Sequence, residues 1–75
     1  MDDPRILAFG RRVRTLRKER SWTQAALADF AGLHGNYVSQ LERGERNVGL
    51  ANVLKLADAL EVSPAALFEW SEQKR

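Results

Sequence analysis

Asn36, Ser39, Gln40 and Arg43 are the residues of this 75-residue chain best suited to selective hydrogen bonding. Asn36 and Gln40 stand four apart, so on a helix they lie one turn from each other on one face. Each primary amide carries a donor beside an acceptor, the pair that matches the edge of adenine in the major groove. Ser39 adds a hydroxyl that bonds a base or a phosphate, and Arg43 reaches phosphate or guanine. Arg46 brings a second guanidinium for phosphate or a base edge, and the Tyr37 phenol is able to bond phosphate. Thr23 and Gln24 stand at a helix start, where unpaired N–H groups and the positive dipole end favour an anion. Taken alone, four polar residues on a surface helix are equally a solvated face, and Tyr37 is equally a partly buried core ring. Catalysis fits poorly. There is no Cys, a single His, no phosphate-binding Gly loop and no acid pair in a recognisable cleft. The same composition leaves no ligand set for a metal, and no cofactor is expected.

The elements that must position these residues read as helices. Asp3 is an N-cap with Pro4 behind it, and Ile6, Phe9, Val13 and Leu16 form one apolar stripe on a helix ending near residue 20. Gly10 inside that stripe marks close packing. Thr23 caps a second helix running to about residue 30, and Gly32 suits the left-handed residue at its end. Leu27, Val38 and Leu41 give an inner face, with the small Ala28 where two helices cross. A third helix spans about residues 35–43 and closes at Gly44. Gly49 caps a fourth, with Leu50, Val53, Leu54, Ala57 and Leu60 as its inner stripe. Ser63-Pro64 opens a fifth, about residues 64–71, through Ala65, Leu67 and Phe68. No alternation of strand type rivals these patterns. The expected fold is all-α: one domain over residues 1–75, five helices, with a helix-turn-helix at about 23–44.

A chain this short buries only about 60% of the surface its unfolded form exposes. With no disulfide available, burial against a second copy is the remaining source of stability. No apolar run is long enough for a membrane span, and MDDPRILAFGRR lacks the order of a signal peptide, so a reducing cytoplasm is expected. The net charge is only +2, but residues 5–20 carry Arg5, Arg11, Arg12, Arg14, Arg17, Lys18 and Arg20 against Glu19 alone. That segment suits a polyanion, or equally a solvated helix face.

From Phe9 to Phe68 the chain resembles the lambda-repressor and Cro type of helix-turn-helix domain, the XRE family. FGRRVRTLRKERSWTQAALADFAGL is similar to the first two helices of that family, HGNYVSQLERGERN to its recognition helix and following loop, and GLANVLKLADALEVSPAALF to its last two helices. The small size also resembles the controller proteins of restriction-modification systems; antitoxins and phage repressors share the same core. The resemblance implies a compact five-helix, lambda-repressor-like domain that binds double-stranded DNA as a transcriptional regulator. It implies that Gln24, with Thr23, grips backbone and braces the recognition helix, and that Asn36, Ser39, Gln40 and Arg43 read bases. It also implies that the loop carrying Arg46 and Asn47 runs along the DNA backbone. Arg17 and Glu42 match a charge pair tying the first helix to the third. Trp22 takes the place of a core apolar residue.

Two positions depart from the pattern. His34 replaces the usual Ser, Thr or Asp cap, and Gly35 replaces a long polar reader while permitting close backbone approach to DNA. Leu33 and Val38 are placed to act as a hydrophobic staple across this weak start. Trp70, left over after Leu67 and Phe68, suggests an interface. The expected assembly is a two-fold dimer through the fifth helix and the end of the fourth, with Leu60, Val62, Leu67 and Trp70 at the contact. The expected partners are an operator duplex of palindromic form, a second copy and RNA polymerase. No membrane and no small-molecule ligand are expected. The rival from another class is a protein-interaction module on the same fold.

Overall fold

The structure, a computed structural model, describes residues 3–70. Four α-helices and one 3-10 helix follow each other, with no strand among the described residues. They are α1 (Pro4–Glu19), α2 (Gln24–Ala31), α3 (Gly35–Glu42), α4 (Leu50–Leu60) and the 3-10 helix Pro64–Phe68. Three starts carry side-chain caps: Asp3 accepts from the Arg5 N–H, Thr23 from Ala26 and Ser63 from Ala66. His34 caps α3 without any side-chain hydrogen bond.

All four α-helices end in the same way. The chain turns through one left-handed residue, whose own N–H and that of the residue after it cover the last carbonyls. At α2 the turn residue is Gly32, with Leu33 N–H donating to Ala28 O at 2.8 Å; at α3 it is Gly44, with Glu45 donating to Gln40 O at 2.9 Å. At α1 and α4 it is Ser21 (φ 59°) and Glu61 (φ 58°), which carry a side chain into that region. These turns are tight enough to fold α2 and α3 back on α1 within a few residues.

The core draws Phe9, Val13 and Leu16 from α1, Leu27, Ala28 and Ala31 from α2, and Val38 and Leu41 from α3. From the C-terminal half it takes Val53, Leu56, Ala57, Leu60 and Leu67. Leu33 packs against this cluster from the start of α3. α3 lies on α1 and α2, α4 on α2, and the 3-10 helix closes over α1 and α4. Arg12 secures that closure by donating to Ala66 O at 2.9 Å, and Arg20 ties the end of α1 to the Leu60 carbonyl.

Several expectations need correction. The fifth element is a 3-10 helix of five residues; a segment this short closes through i→i+3 bonds rather than building an α-helical turn. The remainder of the expected helix, at residue 71, lies outside the described residues. The inner stripe of α4 is Val53, Leu56, Ala57 and Leu60, while Leu50 is 73% and Leu54 44% exposed. Leu56 sits three residues from Val53 and four from Leu60 and so shares their face, and packing against α2 puts that face inward and leaves Leu54 outside. Leu60 and Leu67, expected at a dimer surface, are fully buried inside the protomer. Drawing either out would forfeit about 1.5–3 kcal/mol of burial. Trp22 lies at the rim of the core, half-buried, its ring 4.6 Å from that of exposed Phe30 and beneath the Arg20 guanidinium.

Gly10 marks a close approach of α1 to α3: a Cβ there would stand 2.1 Å from Leu41 O and 3.0 Å from Glu42 O, at the end of α3. Gly35 is the opposite case, with open space around its absent Cβ and an ordinary negative φ. One substitution therefore has opposite effects at the two positions. Gly10→Ala is expected to cost at least about 1–3 kcal/mol through overpacking. Gly35→Ala is expected to add about 0.4–1 kcal/mol, raising Tm by roughly 2–8 °C. Thermal melts of the two variants check both signs; a lower Tm for Gly35→Ala would mean that α3 starts in a conformation only glycine allows.

Candidate nucleic-acid interface

The orientation of α3 is set at its last turn by one carboxylate. Glu42 receives the Arg17 guanidinium of α1 through two bonds, Nε to Oε2 at 2.7 Å and Nη2 to Oε1 at 3.0 Å. The pair is buried, with side chains 8% and 2% exposed. Gln24, first residue of α2, donates its amide to Glu42 Oε1 at 3.0 Å. Arg17 also donates to Trp22 O at 2.7 Å, which fixes the loop between α1 and α2. Both oxygens of the carboxylate and three elements are thus joined in one buried network. The charge pair expected at these positions is present.

Beside this junction lies a concave surface formed by Arg14, Lys18, Thr23, Gln24, Ser39 and Arg43, with the Arg17–Glu42 pair at its floor. Thr23 spends an acceptor lone pair on the Ala26 N–H at 3.0 Å, leaving its hydroxyl hydrogen for an outside acceptor. Arg14 and Lys18 were part of the basic run in the sequence, but only the fold shows that these two cations of α1 stand beside the start of α2. The concavity gathers Arg14 and Lys18 of α1, Arg43 just past α3 and the N-terminal end of α2, a set that suits a phosphate.

On α3, Asn36 is exposed and Ser39 and Gln40 are half-exposed, while Arg43, just past its end, is exposed. Ser39, Gln40 and Arg43 are bonded within the protein. Arg43 donates to Ser39 Oγ at 2.6 Å and forms a forked pair with Glu45 at 3.0 Å on both arms. The hydrogen bonds from Arg43 hold the Glu45 carboxyl below its usual pKa. Gln40 accepts from Arg46 at 3.2 Å, and the Arg46 guanidinium lies 5.0 Å from the centre of the Tyr37 ring. The Tyr37 hydroxyl in turn accepts from Asn52 of α4 at 3.0 Å. Tyr37 is therefore both half-buried and part of the polar surface. Gly35 is exposed and leaves bare backbone at the start of the helix. Asn47 is exposed and borders a different groove, with Ile6, Phe9, Val48 and Trp70. Asn52 escaped sequence reasoning: as a lone polar residue next to an apolar stripe, it reads as ordinary surface.

Two short helices joined at a Gly turn, the second braced by the first and turned outward with a polar face, define a helix-turn-helix domain. A helix-turn-helix family model matches residues 13–67, and the chain belongs to that family, the XRE-type DNA-binding transcriptional regulators, which are not enzymes. It is 41% identical over 75 residues to control protein C.BamHI of Bacillus amyloliquefaciens, covering 92% of this chain and 93% of the relative. Among solved structures it is similar to the restriction-modification controller protein C.AhdI from Aeromonas hydrophila. That match has a TM-score of 0.87 and 45% identity, covering 88% of this chain and 100% of the other. The P22 c2 repressor, solved in complex with a synthetic operator, gives a TM-score of 0.75 and 38% identity over 81% of this chain and 92% of the other. No helix among the described residues is long and apolar enough to cross a membrane.

The junction predicts an asymmetric mutational response. Glu42→Ala strands a buried guanidinium and is expected to cost about 3–5 kcal/mol, a large share of the stability of a small domain. Replacing both partners, Arg17→Met with Glu42→Leu, is expected to cost less than Glu42→Ala alone, because no charge is left uncompensated. Denaturant titrations of the single and double variants check this; an equal or larger loss in the double variant would contradict it.

Proposed function

We propose that this chain is a sequence-specific regulator acting as a homodimer on a palindromic or near-palindromic operator, and that it controls a restriction-modification system. The observation that carries the reading is the buried Glu42 junction. It holds α3 with Asn36, Ser39, Gln40 and Arg43 outward, next to the cations of α1 and the start of α2. Phosphates bound along α1 and the α2 start supply affinity and register, while the outer face of α3 supplies base preference. Thr23, Gln24, Gly35 and Asn47 contribute through backbone and loop contacts along the phosphates, and Tyr37 and Arg46 at the groove edge. The controller assignment is favoured by similarity: the chain is 41% and 45% identical to the two controller proteins and aligns along 93% and 100% of them.

The dimer surface consists of the exposed Leu50 and Leu54 of α4 and Phe68 of the 3-10 helix, with Val62 and Trp70 at its margin. Trp70 is half-buried, its ring 6.3 Å from Phe68. Exposed leucines on the outer face of an otherwise amphipathic helix are explained by a second copy, which also enlarges a core too small to stand well alone. In such a dimer the two α3 helices enter successive major grooves about 34–36 Å apart. Regulation follows from where the dimer sits relative to RNA polymerase on promoter DNA in the cytoplasm.

Selection of bound duplexes from a random pool tests the reading. A two-fold-related pair of half-sites one helical turn apart is expected, with affinity falling as salt rises. Equal recovery of all sequences would instead indicate a protein-interaction module. Sedimentation tests the interface: Leu54→Glu and Trp70→Ala are each expected to shift the protein toward monomer. An unchanged dimer in either variant would remove that residue from the contact.

A further inference from the structure

Gln40 by itself offers a donor and an acceptor, which suits adenine. In the folded protein that choice is already taken. The carbonyl oxygen of Gln40 faces the Arg46 guanidinium at 3.2 Å, leaving the amide NH2 as its outward end. Arg46 is held in that position by the face of Tyr37, 5.0 Å below it. Tyr37 is held in turn from α4, where the Asn52 amide donates to its hydroxyl at 3.0 Å. A hydroxyl that accepts from an amide keeps its own hydrogen for an outside partner. The groups that Gln40, Arg46 and Tyr37 have left to offer are therefore donors: the Gln40 amide NH2, the remaining guanidinium N–H groups and the Tyr37 hydroxyl hydrogen.

A row of donors matches an edge that carries acceptors. In the major groove guanine presents two acceptors, O6 and N7, whereas adenine presents one acceptor and one donor. An adenine placed here would set its amino group against donors and leave it unpaired. We infer that Asn52, through Tyr37 and Arg46, locks Gln40 into a donor-only arrangement that reads a guanine, and that Asn52 is a positioning residue for base specificity. The inference rests on α3 being the groove element, as proposed above. It assigns to α4 a part in recognition beyond its share of the core.

The test uses the full chain and the duplex recovered by selection. Each guanine is replaced in turn by 7-deazaguanine, which keeps base pairing but removes the N7 acceptor, and each adenine by 7-deazaadenine. One guanine per half-site is expected to be sensitive, with affinity falling about 5- to 150-fold. That sensitivity is expected to vanish in Arg46→Ala. Asn52→Ala is expected to reduce it by about 2- to 10-fold, the scale of one hydrogen bond. Adding Tyr37→Phe to Asn52→Ala is expected to lower overall affinity through the lost hydroxyl donor but to leave the remaining guanine N7 sensitivity unchanged, because both break the same positioning link. Melts of Arg46→Ala, an exposed position, and of Asn52→Ala separate loss of positioning from loss of fold. A sensitive adenine lost in Gln40→Ala, or a sensitive guanine indifferent to Arg46→Ala or to Asn52→Ala, would overturn the inference while leaving DNA binding intact. Failure to recover any preferred duplex would overturn the underlying reading instead.

Discussion

One buried carboxylate governs the geometry of this domain. Glu42 stands on the last turn of α3 and receives hydrogen bonds from α1 and α2. Burying a guanidinium and a carboxylate together adds little net stability compared with apolar side chains of the same shape. Its effect is directional. Helices of eight residues have short apolar faces, and apolar contact alone allows them to rotate or slide. The forked Arg17–Glu42 bond fixes both, since its two arms are satisfied in a single register. Gly10 lies beside the same junction and lets the backbones of α1 and α3 touch. The proposed recognition surface inherits its aim from these few atoms.

The rest of the architecture follows from the small size of the chain. Every α-helix ends in the same left-handed closure, so connections stay short. The core is a single cluster fed by all five elements. Leu50, Leu54 and Phe68 are exposed at the C-terminal half, and Phe30 of α2 is exposed beside Trp22, whereas polar and cationic groups line the surface formed by α1, the start of α2 and the end of α3. A division of this kind suits a protein that meets a polyanion with one side and a copy of itself with the other.

Much of this was legible in the chain before any coordinates. Asp3-Pro4, Thr23, Gly32, Gly44 and Ser63-Pro64 mark real boundaries, because caps and left-handed turns are local chemistry. The α1 stripe was clear for the same reason, being a long periodic segment. The phase of α4 was harder: Leu50, Leu54 and Leu56 are equally apolar, and only packing against α2 decides which face is inward. Leu60 and Leu67 illustrate the same limit, since a leucine spent on the core looks identical in sequence to one left for a partner. The 3-10 helix kept its cap but not its expected length. Within the candidate interface, residue types and helix face were readable, but their mutual bonds were not. That Arg46 lies on Tyr37 and Arg43 turns to Glu45 depends on loop geometry after Gly44. Asn52 reaches this surface only because α4 crosses behind it.

The central claim is that the outward face of α3, held by Glu42, is the surface that enters the DNA groove. Amide-resolved NMR during titration with a preferred duplex tests it most directly. The largest changes are predicted at residues 23–24, 35–43 and 46, with weaker ones at Arg14 and Lys18, and little at the buried amides of Leu56 and Leu60. Changes confined to α4 and the 3-10 helix, with α3 undisturbed at saturation, would contradict it.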